Sequence, residues 1–325
     1  MRILIALGGN ALLKRGDVLS ALHQQAAIDA AAQSIAALVH AGHQIIITHG
    51  SGPQVGLLAL QSAAGPAESK LPLDVLDAES QGWLGFAIEL AMRNALPAGT
   101  EIVTMLTQIA VAADDPAFAA PSKPIGPVYA ETDARRLAAA HGWSVAADGA
   151  GWRRVVASPS PVDIIERRSI ARLVRAGALV ICGGGGGIPV LRNEAGLWRG
   201  VEAVIDKDAS SAMIARMVSA DLLVIVTDVA GVYLGYGKPD ARLIRAASPT
   251  ALAAHASDFR AGSMGPKVDA ASDFARRTGK RAMIGALDDL PSIIEDLAGT
   301  RITLCEPALV FATSTGLTTP PMKIP

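Results

Sequence analysis

The chain of 325 residues is 50% hydrophobic but only 4% aromatic, so Ala, Val, Leu and Ile supply most of its core, enough for one large α/β domain or two smaller lobes. Its 29 Lys and Arg against 30 Asp and Glu leave no basic excess; this argues against nucleic acid or an anionic membrane as partner and makes any anion site a local one. Cys182 and Cys305 match no metal or redox spacing, and with no signal-like start and no apolar run of about 18 residues a soluble, cytoplasmic protein is expected.

In chain order, 2–7 (RILIAL) reads as a strand, 20–41 as an Ala/Gln-rich helix, 44–49 (QIIITH) as a strand, and 53–63 and 74–96 as helices. Short apolar runs alternating with longer helical periods are the βαβ rhythm of a mostly parallel sheet, whose right-handed crossovers put helices on both faces. Further strands are expected at 101–106, 178–182, 221–226, 281–286 and 301–304. The rhythm breaks between about 113 and 163, where Pro116, Pro121, Pro124, Pro127, Pro159 and Pro161 surround one helical period at 131–141. An inserted, ordered subdomain is expected there. After Leu304 neither period nor strand signal is present, and a loosely held end is expected.

Three glycine turns follow strands: LGGNA (7–11), HGSGPQ (49–54) and CGGGGGIPV (182–190). Glycine lets backbone N–H groups converge on an anion, and all three turns fall at the sheet edge where α/β proteins gather ligands. Pro53 after Gly52, and Pro266 ahead of Lys267, open helices whose free N–H groups suit phosphate. A lysine at a helix start is disfavoured by the dipole unless an anion lies nearby. Neither G-x-G-x-x-G nor G-x-x-x-x-G-K-[ST] occurs, so Rossmann and P-loop readings lose support. In GVEAVIDKDASSAMIARMV (200–218), Lys207 stands between Asp206 and Asp208 where a strand-like run turns helical. The bland reading is a solvated triplet; the chemical one has a carboxylate holding Lys207 charged and aimed, with Asp208 also capping the helix. His49 reads as a packing residue.

The stretches ALGGNAL, HGSGPQVGLLALQ, KPIGPVY, WRRVVASPSP, GGGGIPV, GVEAVIDKD, VYLGYGKP and GSMGPKV, in this order from the first strand to about Leu304, together resemble the carbamate kinases of the amino-acid-kinase fold family. The resemblance implies reversible phosphoryl transfer between ATP plus carbamate and ADP plus carbamoyl phosphate, with Mg²⁺ bound with the nucleotide, run toward ATP in arginine or purine/ureide catabolism. It implies an open three-layer αβα sandwich around a mostly parallel sheet, with a small protruding subdomain, and a homodimer. Residues 1–304 would form the kinase domain: 1–215 mainly the carbamate half, with the protruding piece at about 115–163, and 216–304 mainly the nucleotide half, leaving 305–325 as a tail.

By the same resemblance Gly8, Gly9, Asn10, Gly50, Ser51 and Gly52 would line the carbamate side. Lys123 would reach in from the protruding piece, Lys207 and Lys267 would flank the transferring phosphoryl group, and Asp208 would orient them. Asp206, Thr227, Asp228, Tyr233, Tyr236, Lys238 and Met264 would frame the nucleotide. Carbamate already carries a nucleophilic oxyanion, so no general base is required, which suits lysines and glycines in place of a Ser/His/Asp set. Similar kinases read HGNGPQ where this chain has Ser51; Gly183 replaces another small residue, and GAGW (149–152) departs slightly from the pattern before the tryptophan. The rival readings are another small-carboxylate kinase or carbamoyl-phosphate-forming enzyme of the fold, and a non-catalytic carbamoyl-phosphate binder.

Overall fold

Alternation along the strand Arg2–Leu7 divides its side chains between two cores. Ile3, Ile5 and Leu7 pack with the helices Ala21–His40 and Leu73–Ala95, while Leu4 and Ala6 pack with Lys207–Met217 and Met264–Thr278 on the opposite face. Each fully buried Leu or Ile contributes about 1.5–3 kcal/mol. Both faces of this strand are covered, which is why RILIAL is apolar from Ile3 onward and shows no polar alternation. The computed structural model describes residues 1–9, 20–259 and 263–312; Asn10 therefore lies outside the described residues.

Among the described residues the main sheet has ten strands. Ala282–Ala286, Leu222–Thr227, Arg2–Leu7, Gln44–His49, Leu179–Ile181 and Ile102–Thr104 follow one another in space and are all parallel. Beyond Ala282–Ala286 the edge turns mixed, with Thr300–Ile302, Arg242–Ala247 and Tyr233–Leu234. The expected αβα sandwich is present, with shorter strands than expected at 101–106 and 301–304.

Several elements carry no clear sequence signal. Gln108–Val111, Pro161–Ile164, Ile188–Arg192 and Trp198–Gly200 form a separate four-stranded sheet. Pro189 obscures one of these strands and Trp198–Gly200 is exposed throughout. The helix Arg167–Ala176 buries only Ile170 and Val174 between arginines. The start of the tail is held more firmly than expected: Val310–Phe311 pairs with Arg242–Ala247, and Arg242 stacks 4.0 Å from the Phe311 ring centroid. Residues 313–325 lie outside the described residues.

Within the Pro-rich insertion, Lys123–Tyr129, Ser144–Asp148 and Gly151–Val156 form a three-stranded antiparallel lobe beside the helix Glu131–His141. Ile125 and Val156 dock it on Val55, Ala59 and Leu76 of the body. The approach is close enough that a Cβ on Gly56 would stand 1.9 Å from the Gly126 Cα, so glycine is required at that crossing.

Candidate functional site

Leu7, His49, Ile181 and Thr227 end their strands at one edge of the parallel sheet. Loops leaving that edge converge, as ligand sites in open α/β sheets do. The Gly50 N–H donates to the Leu7 carbonyl at 2.9 Å, tying the HGSG loop to the turn at Gly8 and Gly9. The glycine run packs on the same loop. Gly184 lies against the His49 ring, and Gly185 (φ +67°) lies so close to Ser51 that a Cβ would stand 2.5 Å from its Oγ.

Thr107 and Gln81 hold this glycine run from behind. Thr107 Oγ1 accepts from the Gly183 N–H at 2.9 Å, while the Gln81 amide accepts from Thr107 N–H at 2.9 Å and donates to its carbonyl at 3.1 Å. No motif marks either residue: Gln81 sits inside a long helical period, and Thr107 between two short strands.

Ser51 occupies the N-cap position of the helix Gly52–Ala64 yet makes no capping bond, and its Oγ is buried without a partner among the described residues. An unbonded buried hydroxyl costs about 1–3 kcal/mol. Its position at a helix N-terminus, beside Gly9, Gly50 and Gly52, suits the oxygens of a small anion.

The Asp-Lys-Asp triplet opens the helix Lys207–Met217 at this edge. Asp206, in extended backbone, is the cap: its Oδ1 accepts from the N–H groups of Asp208 (2.9 Å) and Ala209 (3.2 Å). This corrects the expectation that Asp208 caps the helix. A cap must precede the first turn, and Asp208 lies inside it. The Asp208 carboxylate instead faces two lysines, with Oδ1 2.7 Å from Lys207 Nζ and Oδ2 2.9 Å from Lys267 Nζ. The first contact is an ion pair outside hydrogen-bonding alignment, whereas the second is a hydrogen bond. Lys207 Nζ also reaches the Ala6 carbonyl at 3.4 Å. With Lys207 7% and Asp208 4% exposed, the solvated-triplet reading is excluded.

Lys123 arrives from the lobe, its Nζ 2.5 Å from the second oxygen of Asp206. Asp206 thus caps the helix and ties down the lobe. The anion that excuses Lys267 near the start of Met264–Thr278 is Asp208 itself.

Burial pushes the Lys207 ammonium down to about 8, against the pull of Asp208 and with Lys267 adding to the depression. Burial acts the same way on Lys267, but the Asp208 carboxylate, with Asp206 and Asp228, outweighs it and raises that pKa. Burial alone would raise Asp208; Lys207 and Lys267 outweigh it and hold the carboxyl well below the usual range. His49 is lowered to about 4, by burial first and then by Lys207, so its neutral ring packs under Gly184 as a structural residue.

The charge state of Lys207 sets an expected pH dependence. If Lys207 acts on anionic oxygens it must be protonated, and kcat/KM should then fall through an apparent pKa of about 8 in the free protein. Lys207→Arg, always charged, should lack that limb. A wild-type profile flat to about pH 10, the ordinary lysine range, would remove Lys207 from the charged machinery.

On the other side of the edge, Thr227 donates to Asp228 at 3.3 Å, and Asp228 contributes to the field on Lys267. Tyr233 and Tyr236 meet edge-on with centroids 5.8 Å apart, Lys238 runs beside Gly235, and Met264 packs on the core. Among the described residues, no hydrogen bond or ion pair joins Tyr233, Tyr236 or Lys238 to the three lysines. Among the described residues no group of three or more His, Cys, Asp or Glu side chains is arranged to hold a metal ion.

Comparison with known proteins bears on this geometry. A family model described as the amino acid kinase family matches residues 1–286. The carbamate kinase of Haemophilus influenzae is 48% identical over 303 residues, 93% of this chain and 97% of its own length. That of Pyrococcus horikoshii is 44% identical over 311 residues, covering 93% of this chain and 99% of its own. Among solved structures, carbamate kinase from Giardia lamblia bound to AMP-PNP superposes with a TM-score of 0.82 at 38% identity, covering 93% of this chain and 98% of that one.

Proposed function

Because this chain belongs to the amino acid kinase family, and within it to the carbamate kinases, we propose that Lys207, Lys267 and Lys123 carry its phosphoryl transfer between ATP and carbamate. The observation that carries the reading is the Asp208 carboxylate, buried between Lys207 and Lys267 and holding two ammonium groups at one strand edge. Like charges gather in a buried place only when something compensates them, and phosphate oxygens would supply further counter-charge to this pair of ammonium groups.

In the direction of ATP synthesis, a terminal oxygen of ADP attacks the phosphorus of carbamoyl phosphate, the bond from phosphorus to the carbamate oxygen breaks, and carbamate leaves as an anion. No proton has to move. The protein's part is to position the groups and to stabilise charge on the equatorial oxygens. Lys207 and Lys267 supply that charge, and Lys123 brings a third cation from the lobe. Gly8, Gly9, Asn10, Gly50, Ser51 and Gly52 would bind the carbamoyl end. Asp206, Thr227, Asp228, Tyr233, Tyr236, Lys238 and Met264 would border the nucleotide. Mg²⁺ would arrive with the nucleotide and would neutralise charge on its phosphates.

The same reading has the enzyme working in the cytoplasm, where the two free thiols Cys182 and Cys305 stay reduced, and running toward ATP in arginine or purine/ureide breakdown. It also has two copies pairing through the helix Leu73–Ala95, where Val75, Trp83, Phe86 and Leu90 are exposed at helical spacing. Sedimentation equilibrium checks the pairing; a species of the 33.3 kDa chain mass alone would contradict it.

The reaction is tested by coupled detection of ATP from carbamoyl phosphate and MgADP, and folded protein that makes none would sink the enzyme reading. Lys123→Ala should lower that turnover while changing stability by only about 0.5 kcal/mol, because its ion pair with Asp206 is partly exposed. A large fall in melting temperature would mark Lys123 as structural.

A further inference from the structure

A cavity of about 280 Å³ lies between the protruding lobe and the body, and none of the three lysines lines it. The lobe contributes His141, Trp143 and Arg154; the body contributes Lys70, Leu71, Leu73 and Glu202. Arg154 stacks over the Trp143 ring, 4.6 Å from its centroid, and His141 stacks on the same ring at 4.7 Å. Both polar residues are short of partners: Arg154 Nε and His141 Nδ1 are buried with no hydrogen bond among the described residues. Lys70 is exposed and joins none of the hydrogen bonds or ion pairs of the described residues.

An arginine with a buried, unbonded N–H is costly in a fold that has nothing to put against it. Burial lowers the Arg154 guanidinium; Glu202 stands near enough to oppose this, although it spends one oxygen on the Leu73 N–H at 3.1 Å. Among the lining residues Lys70 and Arg154 are two cations against the one carboxylate of Glu202, which fits a monoanion. The walls fit an apolar body, with Leu71, Leu73 and the Trp143 ring available to cover it.

We propose that this cavity binds a small aliphatic monocarboxylate, its carboxylate on Arg154 and Lys70 and its chain against Trp143 and Leu71. Arg154 lies on Gly151–Val156, the strand that pairs with Lys123–Tyr129, and Ile125 pairs directly with Arg154. An occupant therefore ties to the body the lobe that carries Lys123.

Calorimetric titration of hexanoate into the full-length protein tests this without reference to turnover. Saturable binding is expected, weakened about tenfold or more by Arg154→Gln and by Lys70→Gln, each of which removes a charge-assisted bond. Lys207→Ala should bind hexanoate as the wild type does, which separates the cavity from the phosphoryl site. Lys70→Gln is a surface change and should keep wild-type turnover without hexanoate, so its binding loss cannot be assigned to misfolding. The proposal is overturned by absent saturation, by equal affinity in the wild type and both cavity variants, or by equally tight binding of hexanol, leucine or inorganic phosphate.

Discussion

Lys207→Ala should lower turnover by about 10²–10³-fold, the size of effect that follows loss of one preorganised electrostatic donor. The side chain is fixed before substrate arrives: Asp208 holds its ammonium at 2.7 Å and the Ala6 carbonyl approaches it at 3.4 Å. The start of its helix is fixed too, since Ser211 Oγ donates to the Lys207 carbonyl at 2.6 Å and lies 2.7 Å from Thr48 Oγ1. No reorganisation remains for the moment of reaction. Lys207→Arg should recover only part of the rate, because a planar fork cannot place its charge where a compact ammonium stood. Steady-state kinetics at saturating MgADP and carbamoyl phosphate check both, and near-normal turnover of Lys207→Ala would remove the lysine from the reaction.

Asp208→Asn should be costly twice over. Removing one member of a buried ionic cluster destabilises by about 3–5 kcal/mol, because the groups left behind, here two ammonium ions, lose their counter-charge. The variant should therefore melt well below the wild type at neutral pH. The folded-state pKa of Asp208 is depressed, so its contribution is complete above the ordinary carboxyl value and is lost only as pH falls through the folded value, in strong acid. The second cost is catalytic. With the carboxylate gone, burial and Lys267 both depress Lys207 further, and the basic limb of kcat/KM should move below about 8. The helix cap survives, since Asp206 provides it. A variant with wild-type melting temperature and an unmoved pH profile would show that Asp208 neither orients nor charges the lysines.

How much of the fold was legible in the sequence depended on the physics of each element. Arg2–Leu7 and Gln44–His49 were readable to the residue because each carries a continuous apolar run, Ile3–Leu7 and Ile45–Ile47, buried on both faces, and each ends where the glycines begin. Gly56 against Gly126 was not readable: it is a contact between distant segments, and each glycine alone looks like an ordinary turn or helix residue. The four-stranded sheet was missed because its strands are short and two of them are partly or wholly exposed, so no period-two pattern develops.

At the site, residue types were legible but their division of labour was not. DKD announced a lysine with carboxylates, yet which aspartate caps and which pairs depends on where the helix begins, and a shift of one residue exchanges the roles. Gln81 and Thr107 were silent because holding another segment's backbone leaves no motif in the sequence.

On the proposed mechanism the transferring phosphoryl group lies between Lys207 and Lys267 with Asp208 behind them. A crystal structure with MgADP and aluminium fluoride, a planar stand-in for that group, checks this placement. The expected result is fluorides within hydrogen-bonding distance of both lysine Nζ atoms while the Asp208 carboxylate keeps its contacts to each. Aluminium fluoride bound elsewhere, with Lys207 and Lys267 still turned to Asp208 alone, would contradict it.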